Sequence, residues 1–287
     1  MMRNKPMLAY PVSKKPIDYS KPVFMQPKLD SVRCLIQYDK KNGVVAYSRT
    51  GKEWKNIDHI LEELMPFFCK RDFANANVVL DGELYNHDFK DDFEEIISMV
   101  RKTKPTHEDR QKSLMNVEFH CYDIVNRKMK FSTRDKWIAE NLLTSYCVKL
   151  VDTYKVYGGH NGATNMHEAN LKAGYEGSIV RLDTPYQCKR SHSLRKFKDF
   201  QDAEATIVGY EEGKGKRSGT LGKFLMQDDD GNQFGCPPGK GHNYKDLTLM
   251  LANIHEYMGQ RATFYFFERT KAGSYRHPLF KCIRNYE

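Results

Sequence analysis

The chain has 287 residues, 40% of them apolar and 29% charged, the composition of a globular protein long enough for one large domain or two modest ones. No run approaches the length of a membrane-spanning helix, and the opening "MMRNKPMLAYPVSKKP" lacks the apolar core of a signal peptide, so a cytoplasmic protein is expected. The seven cysteines are scattered and form no C-x-x-C, which argues against a disulfide framework and a zinc cluster, and a net charge of +9 favours a polyanionic partner such as nucleic acid or an anionic membrane.

The first 22 residues, with four prolines, read as an irregular lead-in. Strand-like runs at 32–38 and 43–49 flank "DKKNG", a good hairpin turn. Between 57 and 68, Ile57, Ile60, Leu61, Leu64 and Phe68 recur at helical spacing. "NVVLDGELY" (77–85) predicts a strand. "DDFEEIISMVRK" predicts a helix with its acids first and its bases last, as the helix dipole prefers. "VEFHCYDIV" (117–125) predicts a strand, and "STRDKWIAENLLTSY" a helix capped by Ser or Thr. A short helix over 164–173 stops at Gly174, and "GSIVRL" (177–182) returns to strand. From about residue 200 the pattern changes to short apolar runs and many glycines with one helix near 244–257, which predicts a small β-barrel.

Candidate chemistry begins at "FMQPKLDSVRCLIQY" (24–38), where Lys28, Asp30 and Arg33 stand in a K-x-D-x-x-R pattern. An ordinary lysine has a pKa near 10.4, so about one in a thousand is unprotonated at neutral pH; a nucleophilic lysine needs burial or cationic neighbours. Asp30 could orient the amine or a metal, and Arg33 could position a phosphate. Taken alone, the triplet reads better as an ordinary charged strand surface. "SRTGK" adds Arg49, "LDGEL" adds Asp81 and Glu83 around a glycine read as a turn, and "FHCYDIV" adds Phe119 and Tyr122. "EGSIVR" sets Glu176 at a glycine turn, and "SLRKFKDF" sets Lys196 and Lys198 on one strand face, a plausible phosphate clamp.

This ordered series resembles the covalent nucleotidyltransferases, the superfamily of DNA ligases, RNA ligases and mRNA-capping guanylyltransferases. Its motifs are K-x-D-G-x-R, a serine–arginine segment, a D-G-E strand, an aromatic–Asp strand, E-G-x-x-x-K/R and K-x-K. Ser31 and Arg181 depart from it, standing where the family has glycine and commonly lysine. Further on, "IVGYEEGKGKRSGTLGKFLMQ" (207–227) resembles the start of the OB-fold in ATP-dependent DNA ligases, and "RHPLFKCIRNYE" (276–287) partly matches their last motif.

The resemblance implies an α+β fold: an adenylation domain of antiparallel sheets and helices over 1–200, then an OB-fold β-barrel over 201–287. It implies an ATP-dependent DNA ligase that seals nicks in duplex DNA, with Lys28 adenylylated by ATP. NAD is not the expected donor, because only 27 residues precede Lys28. The implied type is the minimal bacteriophage or viral enzyme, monomeric, in the host cytosol, with no membrane partner. Lys28, Asp30, Arg33, Lys196 and Lys198 would be catalytic. Gln26, Pro27, Lys28, Arg33, Glu83, Tyr122, Ile179, Lys196, Lys198 and Arg284 would hold ATP or AMP. Glu83 and Glu176 would bind Mg²⁺ or Mn²⁺, and Arg49, Lys214, Lys216, Arg217 and Lys223 would contact DNA. The rival readings are an RNA ligase or capping guanylyltransferase on the same scaffold, and a non-catalytic OB-fold nucleic-acid-binding protein.

Overall fold

A computed structural model describes residues 2–70, 75–90, 92–197, 201–239, 242–266, 269, 273–275 and 277–284. Contacts divide the chain into two units, Met1–Lys198 and Asp199–Glu287. The first unit begins with β1 (Leu8–Pro11), β2 (Val23–Pro27), β3 (Val32–Asp39), β4 (Gly43–Tyr47), α1 (Asp58–Phe68) and β5 (Val79–Tyr85). It continues with α2 (Phe93–Val100), α3 (His107–Asn116), β6 (Glu118–Ile124), α4 (Phe131–Asn141), β7 (Val148–Leu150) and β8 (Tyr154–Val156). It closes with α5 (Gly159–Lys172), β9 (Ser178–Leu182) and β10 (Arg190–Phe197).

These strands form two five-stranded sheets, ordered β1-β10-β9-β2-β8 and β4-β3-β5-β6-β7. The main core lies against the second sheet. Cys34, Ile36, Leu80, Leu84, Phe119 and Cys121 from its strands meet Ile60, Leu64 and Phe68 of α1 and Ile96, Met99 and Val100 of α2. The helical spacing in 57–68 is thus the buried stripe of α1. All seven cysteines are free thiols.

Four local readings change, and one helix, α3, has no counterpart in the sequence reading. The lead-in contains β1, which pairs in parallel with β10. Pairing with a strand some 180 residues away is a tertiary cause that the local sequence does not carry. Helix α3 has little apolar periodicity, but a capping box between Thr106 and Asp109 starts it. No Ser or Thr caps α4: Lys130 stands at its N-cap, and the Ser132 amide donates instead to Asp183 Oδ1 at 2.8 Å. Helix α5 starts at Gly159, five residues before the expected 164. Finally, β5 runs straight through Gly82, which is no turn. A Cβ there would sit 2.3 Å from the His120 carbonyl oxygen and 2.6 Å from the Phe119 ring. Glycine is required because β6 bulges against β5 between Asp81 and Gly82.

The second unit contains β11 (Gln201–Glu212), β12 (Leu221–Gln227), β13 (Gln233–Cys236), α6 (Tyr244–Ala252), β14 (Arg261–Phe266) and β15 (Leu279–Ile283). Its sheet is ordered β13-β12-β11-β14-β15, over a core that includes Ile207, Phe224, Met226, Phe264 and Phe280. The expected barrel is not closed by a continuous ladder: among the described residues its edges meet at a single Pro238–Phe280 bridge. Pro237 and Pro238 follow β13 and have no N–H to extend the pairing.

Candidate active site

Lys28 follows β2, and Glu176 precedes β9. Backbone pairing locks the two together: the Lys28 amide donates to the Gly177 carbonyl at 2.9 Å, and the Glu176 amide donates to the Lys28 carbonyl at 3.1 Å. Gly177 has φ 144°, which fits the expected glycine turn at this position. The result is an ion pair in which Lys28 Nζ donates to Glu176 Oε2, with the Glu176 side chain only 5% exposed.

The amine stands at a cavity of about 540 Å³ whose walls include Gln26, Pro27, Lys28, Arg33, Glu83 and Tyr122. Ile179 and Lys196, directly paired in register between β9 and β10, line it as well, and Ile179 also lies opposite Gln26 in the β2–β9 pair. Arg49 also borders it. Nine of the expected residues, drawn from six separate sequence segments, therefore share one cavity.

Strand register explains why Arg33 and Glu83 reach the cavity together. Arg33 lies opposite Glu83 in the β3–β5 pair, and Glu83 lies opposite His120 in the β5–β6 pair. Directly opposed residues of antiparallel strands share a face. Arg33 is gripped by Asp81 through two bonds, Nε to Oδ1 at 2.6 Å and Nη2 to Oδ2 at 2.5 Å. Its Nη2 also donates to the Met7 carbonyl at 3.1 Å. The Tyr186 hydroxyl donates to Asp81 Oδ2 and accepts from the Met7 amide, both at 2.7 Å. Burial disfavours the Arg33 charge, but Asp81, Tyr122 and Tyr186 more than compensate and hold its pKa well above the ordinary value. Arg33 is therefore a fixed cation with most of its donors already used by protein.

Glu83 is held differently. Burial pushes its carboxyl up to about 7, and the nearby Lys28 and Arg33 only partly oppose this. Its Oε1 is 3.4 Å from the Tyr122 hydroxyl, while its Oε2 is buried with no hydrogen-bond partner. A buried acceptor left open beside a cavity suits a ligand hydroxyl or a cation. Among the described residues, no three His, Cys, Asp or Glu side chains converge as a metal cluster. Mg²⁺ needs no such cage, because one or two carboxylates plus substrate phosphates suffice.

Against the cavity wall, which Arg181 also lines, runs a network that ties the expected Gln26 and Tyr122 to residues outside the expected set. Asp123 receives Arg134 Nε and Nη2 at 2.7 and 3.1 Å, and Arg181 Nη1 at 2.7 Å. Arg181 Nε donates to Gln26 Oε1 at 2.6 Å, and Gln26 Nε2 donates to the Tyr122 carbonyl and to Thr153 Oγ1. Arg181, noted in the sequence only as a cation at the end of E-G-x-x-x, thus anchors Gln26 rather than facing solvent. Ser31 needs no glycine geometry, because among the described residues only His277 is a non-glycine with positive φ. Its hydroxyl donates to the Leu84 carbonyl and accepts from the Val32 amide.

The remaining expected residues are elsewhere. Asp30 does not line the cavity, although its charge is felt at Glu83. Lys198 lies outside the described residues. Arg284 belongs to the second unit, paired with Glu204 at 2.9 Å. Lys214, Lys216 and Arg217 are exposed on the β11–β12 connection, and Lys223 on β12 pairs with Glu211 at 2.9 Å. Sequence reasoning missed Ser31 as a wall residue, along with Trp54, Arg101 and Arg190. Of these only Ser31 lay inside a motif. Asp81 was visible in its D-G-E strand, but Tyr186, its partner, carried no signal.

The chain matches a family model of the ATP-dependent DNA ligase domain over residues 6–198, and one of the DNA ligase OB-like domain over residues 212–284. A DNA ligase of African swine fever virus (isolate Tick/South Africa/Pretoriuskop Pr4/1996) is 29% identical over 210 residues, covering 69% of this chain and 46% of that one. The DNA ligase of Enterobacteria phage T6 is 24% identical over 286 residues, covering 83% and 58%. The chain thus spans about half the length of the curated relatives it matches. Among solved structures, Pmar-Lig_PreS3 superposes with a TM-score of 0.81 at 26% identity, covering 99% of this chain and 68% of that one. A Lig E DNA ligase, described as binding DNA with a minimal scaffold, shares the fold at 22% identity, with a TM-score of 0.78 and coverage of 99% and 100%.

Proposed function

Since this chain belongs to the ATP-dependent DNA ligase family, we propose that it seals nicks in duplex DNA through a lysyl-adenylate on Lys28. The observation that carries this reading is the Lys28–Glu176 pair beside a cavity that also holds Arg33, Glu83 and Lys196. The domains would be an adenylation domain over 1–200 and an OB-fold over 201–287.

In the first step neutral Lys28 Nζ attacks the α-phosphorus of ATP, forming the N–P bond as the bond to the β-phosphate oxygen breaks and pyrophosphate leaves. The amine must shed its proton first, and Glu176 Oε2 is the acceptor already bonded to it. Arg33, held charged by Asp81, and Lys196 offset the charge that builds on the phosphate. Tyr122 and Ile179 would flank the adenine. Glu83 Oε2, the open acceptor, would take a ribose hydroxyl or, with Glu176, hold Mg²⁺ or Mn²⁺, whose charge would further neutralise the phosphates. Next, a 5′-phosphate oxygen of the nick attacks the adenylate phosphorus and Lys28 leaves. Finally, the 3′-hydroxyl attacks the 5′-phosphorus, AMP departs and the strand is closed.

The test is a sealing assay on a nicked duplex carrying a labelled 5′-phosphate, with ATP, GTP or NAD as donor. ATP-dependent closure, read on a denaturing gel, is expected. Closure only with NAD, a guanylylated chain with GTP, or sealing restricted to RNA nicks would overturn the reading.

A further inference from the structure

Beyond the cavity, β1 and β10 carry a second group of side chains that the adenylation chemistry leaves unused. Parallel pairing sets Tyr10 opposite Arg195. The Tyr10 ring stacks on His192, with centroids 4.1 Å apart and planes within 10°. The Arg190 guanidinium lies 5.6 Å from the Tyr10 ring, and its Nη1 donates to the Ala9 carbonyl at 2.5 Å. Partial desolvation, together with the charges of Arg195 and Lys15, pushes the His192 pKa below its ordinary value. Lys15, Arg190 and His192 are exposed.

Arg195 is the unusual member. It is 2% exposed, its Nε donates to the His192 carbonyl, and its Nη1 is buried with no hydrogen-bond partner. Burial pushes its pKa down, and among the described residues no carboxylate pairs with it. Among the described residues, the other arginines engaged deep in this unit do have one: Arg33 has Asp81, while Arg134 and Arg181 share Asp123. A buried cation without a counter-charge is destabilising, and surrounding cations add repulsion. An anion supplied from outside relieves both. A stacked ring pair set among cations fits nucleic acid in particular, with phosphates on the cations and a sugar or base against the rings.

We propose that Tyr10, Lys15, Arg190 and His192 form a docking patch for the phosphodiester backbone of the nicked duplex, over the fixed charge of Arg195. The patch rests on the ligase reading and extends it. It is continuous with the cavity, because Ala9 and Arg190 also line the cavity wall. DNA gripped there runs on toward the amine that it must discharge.

The test uses the full chain and a nicked duplex with a dideoxy 3′ end, so that the complex cannot turn over. Affinity is read by fluorescence anisotropy across a salt series. The Lys15→Gln/His192→Ala double variant is expected to bind about tenfold more weakly, with a log–log salt slope shallower by about one. Both substitutions are at exposed positions, and a wild-type melting temperature checks the fold. Arg195→Met separates a structural from an electrostatic role. Weaker nick binding at an equal or higher melting temperature supports the patch, whereas a lower melting temperature with unchanged affinity overturns it. A double variant that matches wild type in affinity and slope overturns the patch alone. A wild-type chain that fails to bind nicked duplex overturns the patch and the ligase reading together.

Discussion

Replacing Glu83 with glutamine is expected to stabilise the protein at alkaline pH while disabling it. Glu83 is a buried carboxyl with a pKa of about 7 in the fold, against an ordinary value of 4.5. Below pH 4.5 the group is neutral whether the chain is folded or not, and it has no effect. Between 4.5 and 7 the folded state binds the extra proton, so stability falls as pH rises. Above 7 the full cost of ionising Glu83 inside the fold is present. The gap, at about 1.4 kcal/mol per pH unit, amounts to about 3 kcal/mol. Glutamine keeps the shape and removes the charge. Glu83→Gln should therefore gain up to about 3 kcal/mol over wild type at pH 8, or ~9 °C in melting temperature for a unit of this size, and almost nothing at pH 4.5. The assay is urea or thermal unfolding of both proteins, without nucleotide, at several pH values between 4.5 and 8. A difference that is flat with pH, or a variant less stable at pH 8, would refute the assignment of burial as the dominant influence on this group. Loss of ligation in the stabilised variant would show a site that sacrifices stability for function.

Other outcomes follow from single contacts. Lys28→Ala should abolish the covalent nucleotide adduct and leave far-UV circular dichroism unchanged. Asp123→Asn strips the carboxylate charge from two deeply buried arginines and should cost about 3–5 kcal/mol in urea unfolding, because what remains are unpaired buried cations. Gly82→Ala should destabilise by about 1–3 kcal/mol or more, since its methyl meets a backbone carbonyl that cannot turn away. Ser31→Ala should cost about 1 kcal/mol by freeing the Leu84 carbonyl, whereas a neutral result would show that the serine hydroxyl does not brace β3 against β5.

Elements buried along one stripe or one strand face were legible before the structure was known. Helix α1 and strands β3, β5 and β6 follow directly from their apolar spacing, because burial in the main core is what that spacing encodes. Elements defined by distant partners were hidden. Strand β1 exists because β10 is beside it, and α4 is capped by Asp183 from far along the chain. The site divides the same way. Lys28, Arg33, Glu83, Tyr122, Ile179 and Lys196 each sit in a short motif and converge on one cavity. Tyr186 and Arg190 reach the site or its supports from segments with no motif of their own, so only tertiary folding reveals them. The glycine of the D-G-E strand was visible, but its reason was not: it makes room for a neighbouring strand rather than a turn.

The central claim is that Lys28 is the residue that carries the nucleotide. The most direct measurement is peptide mapping by mass spectrometry of the protein after incubation with ATP and a divalent metal, before and after a chase with nicked duplex DNA. The account predicts adenylate on the peptide containing Lys28, gone after the chase, with sealed strand formed in equal amount. Adenylate on another residue, or an adduct on Lys28 that nicked DNA does not discharge, would contradict it.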